Sequence, residues 1–239
     1  MDSITASVLA TVAAYLLGSI PFGFVTAKYV SGVDIRSHGS GNIGATNVAR
    51  VVGAKWGVVV LLFDCLKGVV SVWLFPQMVM TTVAPAAVVL QHVQVGCGAL
   101  AILGHMFPCW LRFQGGKGVA TTLGVVIALA PWATLAAFIG FAAILVVFRI
   151  VALSSMIAAI IFAVIQITVL WPEPFAPSSW SVAAFSVVIP ILIIYRHRSN
   201  LSRLLRGKEP RFQLASCKRQ VGTAAETPER INRQTKDNE

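Results

Sequence analysis

Apolar stretches long enough to cross about 30 Å of hydrocarbon recur along this chain between short polar breaks, and they restrict its fold more than any other feature. The runs are continuous rather than alternating, which describes helices and argues against a β-barrel. Of 239 residues, 56% are hydrophobic and only 12% are charged, with a mean hydropathy of +0.79. A soluble domain carries about 25% charged residues. The expected fold is all-α, a polytopic integral membrane protein of about seven transmembrane helices.

Apolar length and helix breakers place those helices at approximately 5–29, 54–75, 84–107, 118–130, 132–148, 150–170 and 179–196. The fourth is short for a crossing and could join the fifth as one run kinked at Pro131. The N-terminus has no basic n-region, and Gly18-Ser19-Ile20-Pro21-Phe22-Gly23 interrupts its apolar run, so a retained helix is expected rather than a cleaved signal.

Basic residues set the orientation. An outside (periplasmic) N-terminus and seven crossings put Arg36 and Arg50, Arg112 and Lys117, Arg149, and everything from Arg196 onward inside. The connections near Gln77–Pro85, Pro131–Trp132 and Trp171–Trp180 carry neither Lys nor Arg. This asymmetry follows the positive-inside rule and makes the C-terminus cytoplasmic. Trp73, Trp132, Trp171 and Trp180 then fall near the outer interface.

The net charge is +10, and nine of the nineteen Lys and Arg residues fall between Arg198 and Arg233. Residues 1–206 therefore read as the membrane domain. Residues 207–239 read as a basic, disordered cytoplasmic tail suited to anionic membrane lipids. Nucleic acid is not expected as a partner, because no aromatic-interleaved basic module accompanies the charge. Cys65, Cys97, Cys109 and Cys217 lack metal-site or disulfide spacing and read as small helix or tail residues.

Three polar clusters separate the apolar runs, at Arg36–Arg50, Arg112–Thr122 and Arg196–Arg203. Each combines glycine-freed backbone, hydroxyl or amide side chains and fixed positive charge, the chemistry that binds phosphate. In the first, Gly39, Gly41 and Gly44 accompany Ser40, Asn42, Thr46 and Asn47, with charge from Arg36 and Arg50. In the second, Gly115, Gly116 and Gly118 surround Lys117 just before a helix start, without the spacing of a Walker A loop. In the third, His197 between Arg196 and Arg198 is either a basic anchor or a base kept neutral by its neighbours, and Asn200 adds a neutral donor. His105 reads as a satisfied interfacial group, with a supporting role in the site left open. Asp64 and Lys67, three residues apart on one helix face, read as a structural pair. The topology gathers all three clusters on the cytoplasmic side.

At these residues the chain resembles the integral-membrane acyl-phosphate:glycerol-3-phosphate acyltransferases. The matching stretches are Gly18–Gly23, Asp34–Arg36 with Gly39–Asn47, Asp64 with Lys67-Gly68, and Gly104-His105 with Phe107-Pro108. Gly115–Thr121 and Arg196–Arg198 with Asn200, Arg203-Leu204, Gly207 and Glu209 complete the set. Gln114 stands where the family usually carries a basic residue. Ala152 replaces the first of two serines that often follow the arginine at 149, while Ser155 keeps the second and Ser154 lies between.

The resemblance implies transfer of a long-chain acyl group from acyl phosphate to the 1-hydroxyl of glycerol 3-phosphate, giving 1-acylglycerol 3-phosphate and phosphate in the bacterial inner membrane. It implies no cofactor, no metal, and no obligatory acyl-CoA or acyl-carrier protein. The expected catalytic residues are Lys117, His197 and Asn200. The expected substrate-binding residues are Ser40, Gly41, Asn42, Thr46, Asn47, Arg50, Gly115, Gly116, Gly118, Thr121, Ser155 and Arg196.

Overall fold

The computed structural model describes residues 2–83 and 87–212, and every regular element among them is helical. Helix α1 (Ser3–Ser19) starts on Asp2, whose carboxylate accepts the Thr5 N–H. It stops at Ile20 because Pro21 follows, and α2 (Phe22–Ser31) resumes until Gly32 closes it at φ 69°. The stretch expected as one helix over 5–29 is therefore two helices with a break. A 3-10 turn (Ile35–Ser37) leads to the short α3 (Ala45–Val51). Then come α4 (Ala54–Val83), α5 (Ala87–Met106), α6 (Val119–Leu129), α7 (Pro131–Phe148), α8 (Val151–Val169), α9 (Trp180–Arg196) and α10 (Arg198–Leu205).

Five helical stretches, 3–31, 54–81, 89–111, 131–148 and 151–169, are long and apolar enough to cross a membrane. Helices α9 and α10, bent by 57° at their junction, make a sixth if the pair is one span. Helix α6 has 11 residues and rises only about 17 Å. Against the seven crossings expected, five or six stretches among the described residues meet the length and composition of a span. The 118–130 and 132–148 segments are separate helices rather than one kinked run. Pro131, without an N–H, opens α7 at a position where none is needed.

Glycines let the helices touch backbone to backbone, the packing mode that serves where lipid removes the hydrophobic drive between helices. A Cβ at Gly68 on α4 would lie 2.3 Å from the Thr121 carbonyl of α6, and one at Gly124 on α6 would lie 1.9 Å from the Cys65 carbonyl of α4. Gly18 and Gly104 seal α1 against α5 in the same way. The main core gathers Val72, Ile102, Met106, Val125, Phe162, Phe185 and Ile189 from α4, α5, α6, α8 and α9. A smaller one, with Ala27, Ile35, Ile43, Val48 and Val60, lies beneath the first polar loop. Helix α7 leaves Trp132, Leu135, Phe138, Ile139, Val146 and Val147 exposed, a surface matched to lipid rather than water.

Candidate active site

The first polar loop folds around Asn47. Its Oδ1 accepts the Ser40 N–H at 2.9 Å, and its Nδ2 donates to the carbonyls of His38 at 3.0 Å, Asn42 at 2.9 Å and Ile35 at 3.3 Å. Gly39 and Gly41, at φ 59° and 70°, supply the left-handed turns this wrapping requires. Asn42 in turn accepts the Gly44 N–H at 2.8 Å. Asn47, expected among the substrate contacts, therefore has its amide engaged by the loop itself, because a buried amide needs partners. Ser40, Gly41 and Asn42 are left facing a recess, while Thr46 and Arg50, one helical turn apart on α3, face the adjoining cleft. Arg36 turns back on Asp34, 2.7 Å from its carboxylate, and lines neither space. Its hydrogen bonds hold the Asp34 carboxyl down at about 2.

The second loop is clamped from two sides. Gly115 N–H donates to the Met106 carbonyl at 3.2 Å and Gly116 N–H to the His105 carbonyl at 3.1 Å. Arg196 donates to the Gly115 carbonyl at 2.9 Å and the Gly116 carbonyl at 2.8 Å, with its guanidinium 5.2 Å from the Phe107 ring centroid. The Gly115 and Gly116 amides, expected to hold phosphate, here both donate to carbonyls at the end of α5. Arg196 is similarly engaged: it lines the recess, but much of its donor capacity closes the glycine loop. Gly118, at φ 80°, turns the chain into α6 beside the cleft. Thr121 lines neither space; it is fully buried in α6 with its carbonyl against Gly68. It faces α4 because the close α4–α6 contact claims that side of the helix.

Lys117 projects from this clamped loop and donates through Nζ to Asn200 Oδ1. Burial is the main cause that brings its ammonium down to about 8; Glu209 opposes the shift, while Arg203, Arg196 and Arg50 add to it. At the bend between α9 and α10, His197 is buried and its Nδ1 lies 2.8 Å from the Ile193 carbonyl. A carbonyl only accepts, so Nδ1 carries a proton and Nε2 is the nitrogen free for chemistry in the neutral ring. Asn200, on the first turn of α10, spans two partners, accepting from Lys117 and donating to Glu209 Oε1. Glu209 also accepts from Arg203 Nε at 2.8 Å.

Glu209 was not among the expected site residues, and the segment from 207 was expected to be disordered. Residues 207–212 instead return over the site, where Glu209, Pro210 and Phe212 line the cleft and the Phe212 N–H donates to the Arg149 carbonyl. The rest of the expected tail, from 213, lies outside the described residues. A sequence signal for Glu209 exists: it is the one acid between Arg196 and Arg211. Arg198, Ser199 and Arg203 also line the recess and lie outside the expected set of site residues.

Two adjoining spaces with shared walls result. A polar recess of about 220 Å³ is lined by Ser40, Gly41, Asn42, Lys117, Asn200 and the arginines 196, 198 and 203. A larger cleft of about 670 Å³ shares Ser40, Asn42, Lys117, Asn200 and Arg203 with it. That cleft continues between Val58 and Leu61 of α4, Phe141 and Leu145 of α7, and Val151 and Ala152 of α8. Ser155 lines the cleft with its hydroxyl donating to the Val151 carbonyl at 2.9 Å, whereas Ser154 is fully buried and does not. Cationic groups and oriented amides at one end, opening onto an apolar slot between helices, suit a molecule with a phosphate head and a hydrocarbon tail.

Residues 8–207 match the family described as glycerol-3-phosphate acyltransferase. The chain is 44% identical over 200 residues to the glycerol-3-phosphate acyltransferase of Synechococcus elongatus, covering 83% of this chain and 91% of that one. It is 42% identical over 198 residues to the enzyme of the same name from Myxococcus xanthus, covering 83% and 95%. Two crystal structures of PlsY (YgiH), an integral membrane glycerol 3-phosphate acyltransferase, share the fold. The glycerol 3-phosphate form superposes with a TM-score of 0.74 at 41% identity, and the lysophosphatidic acid form with 0.72 at 40%. Each alignment covers 87% of this chain and 96% of the other.

Proposed function

Because the chain belongs to the glycerol-3-phosphate acyltransferase family and is a multi-pass integral membrane protein, we propose that it acylates the 1-hydroxyl of glycerol 3-phosphate from a long-chain acyl phosphate. The products are 1-acylglycerol 3-phosphate and inorganic phosphate. The observation that carries this reading is the junction of the two spaces. Lys117, Asn200, Ser40 and Asn42 belong to both, so a phosphate in the recess and an acyl chain in the slot meet at these groups.

Lys117 and Arg50 neutralise the phosphates, and Ser40, Asn42 and Thr46 shape the pocket around them. Asn47, Gly115, Gly116 and Arg196 act one step behind, by fixing the two loops that present those groups. Ser155 borders the slot where the acyl carbonyl enters. The acceptor O1 attacks the acyl carbonyl carbon, a C–O ester bond forms, and the C–O bond to phosphate breaks. The hydroxyl proton passes to His197 Nε2, or directly to an oxygen of the departing phosphate. An acyl phosphate is already activated, so positioning and charge neutralisation supply most of the acceleration.

The distribution of Lys and Arg supports seven crossings with an outside N-terminus and a cytoplasmic site in the inner membrane. Soluble glycerol 3-phosphate then enters the recess from the cytoplasm, while the acyl donor enters laterally from lipid. The test is purified protein in detergent with palmitoyl phosphate and glycerol 3-phosphate, following phosphate release with and without a chelator. Release that requires the acceptor and ignores the chelator is expected. Acceptor-independent release, or none, rejects the reaction, and chelator sensitivity points to a metal-dependent enzyme instead.

A further inference from the structure

Asp64, Lys67 and His105 are all at least 96% buried, yet no step above uses them. Lys67 Nζ lies 2.7 Å from Asp64 Oδ1, donates to the Ile20 carbonyl at 3.0 Å, and lies 3.1 Å from His105 Nδ1. His105 Nδ1 also lies 3.4 Å from Asp64 Oδ1, so this nitrogen faces both the lysine and the carboxylate; toward a charged Lys67, which has only donors, Nδ1 is the acceptor. One lysine thereby ties the α1–α2 break to α4 and α5.

The opposite edge of the imidazole faces the glycine loop. A Cβ at Gly116 would lie 2.0 Å from His105 Nε2, and its three nearest neighbours would all be atoms of that ring. The Gly116 N–H also donates to the His105 carbonyl. Gly116 therefore rests on His105 through both side chain and backbone, while Arg196 closes the loop from the other face. The next residue is Lys117. Asp64 and His105 also form part of the cleft wall. Buried charge is costly inside a membrane helix, and an apolar set of equal volume would serve for packing alone. What a lysine with directed partners adds is a fixed ring orientation, since each donor must meet its acceptor.

We propose that Asp64, Lys67 and His105 form a positioning cluster that fixes the platform under the Gly115–Gly116 loop and so sets where the Lys117 ammonium meets the glycerol 3-phosphate headgroup. The proposal rests on the acyltransferase reading above. It requires the cluster to act on acceptor binding through the loop, with no member touching the substrate phosphate.

The test is a double-mutant cycle between residues 105 and 116, with KM for glycerol 3-phosphate and thermal unfolding both followed in detergent. His105→Asn keeps an acceptor near the Nδ1 position but removes the far edge of the ring. Gly116→Ala and His105→Asn are each expected to raise KM for glycerol 3-phosphate about tenfold, and the double variant is expected to raise it little further, the size of coupling seen between touching residues. Lys67→Met, if folded, is expected to raise the same KM about tenfold with a smaller change in kcat, as misplacement of a binding group does. An additive cycle, or folded Lys67→Met protein with wild-type KM, overturns the positioning role. If Lys67→Met does not fold, the cycle alone decides. Wild-type protein without acceptor-dependent phosphate release overturns the acyltransferase reading instead, so the two failures are distinct.

Discussion

Lys117 and Asn200, 83 residues apart in sequence, are joined by a hydrogen bond from the lysine ammonium to the asparagine Oδ1. This contact brings the glycine loop after α5 and the short helix after α9 into one site. It also orients Asn200, whose Nδ2 then has to donate elsewhere and does so to Glu209. The ammonium keeps its other donors for a ligand, because a lysine carries three.

Replacing Lys117 by Met removes that charge while keeping most of the side-chain volume. The expected loss in kcat/KM for glycerol 3-phosphate is about 10- to 100-fold, the range for a hydrogen bond to a charged group. Steady-state kinetics with both substrates varied will check it. Unchanged KM for both phosphorylated substrates rules Lys117 out as a phosphate ligand.

The Lys117 ammonium, brought down to about 8 chiefly by burial, predicts an alkaline limit on activity. In the proposed site only its charged form would hold phosphate, so kcat/KM should fall as pH rises through about 8, a limb that reports the free enzyme. Stability moves the opposite way. The unfolded lysine holds its proton up to its ordinary value of 10.5, so between about 8 and 10.5 the unfolded chain binds more protons and the folded state gains as pH rises. A pH–rate profile of wild type beside Lys117→Met tests this, since the variant should lack the limb.

His197 has its Nδ1 held by the Ile193 carbonyl, so the proton-accepting nitrogen is Nε2. Substituting His197 with Ala should lower kcat by about 100-fold if Nε2 takes the hydroxyl proton, the lower range of general-base contributions. Single-turnover kinetics isolate that step. Near-normal turnover would exclude the histidine as an essential base and assign the proton to substrate phosphate.

Asn47→Asp tests the first loop. The carboxylate can still accept the Ser40 N–H but loses donation to the Ile35, His38 and Asn42 carbonyls, and it sets an anion before them. Thermal unfolding should show about 1–3 kcal/mol of destabilisation, the cost of leaving buried polar groups unpaired. KM for glycerol 3-phosphate should rise as the loop that presents Ser40 and Asn42 loosens. Wild-type stability would show that the loop does not depend on this amide.

Much of the architecture is local and could be read along the chain. Continuous apolar runs mark the helices because each must satisfy its own backbone in lipid. Pro131 marks a break because proline lacks the N–H that a continuing helix needs, whereas Pro21 lies inside the helix expected over 5–29 and divides it. The glycine, amide and basic clusters have the composition expected of phosphate sites, and Asp64 with Lys67 could be paired from their spacing on one helix face. What local pattern does not carry is the direction in which each polar group is engaged. Asn47, Gly115, Gly116 and Arg196 have the composition of ligands, yet most of their polar groups turn inward to hold the loops. Thr121 belongs to a phosphate-friendly run but is buried against α4. Glu209 reaches the site only because the chain after α10 folds back over it. His105 becomes the third member of a buried cluster only when α5 packs beside α4. Composition and spacing set which groups are available, whereas hydrogen-bond partners come from segments distant in sequence, so only tertiary packing decides which groups support the site and which face its ligands.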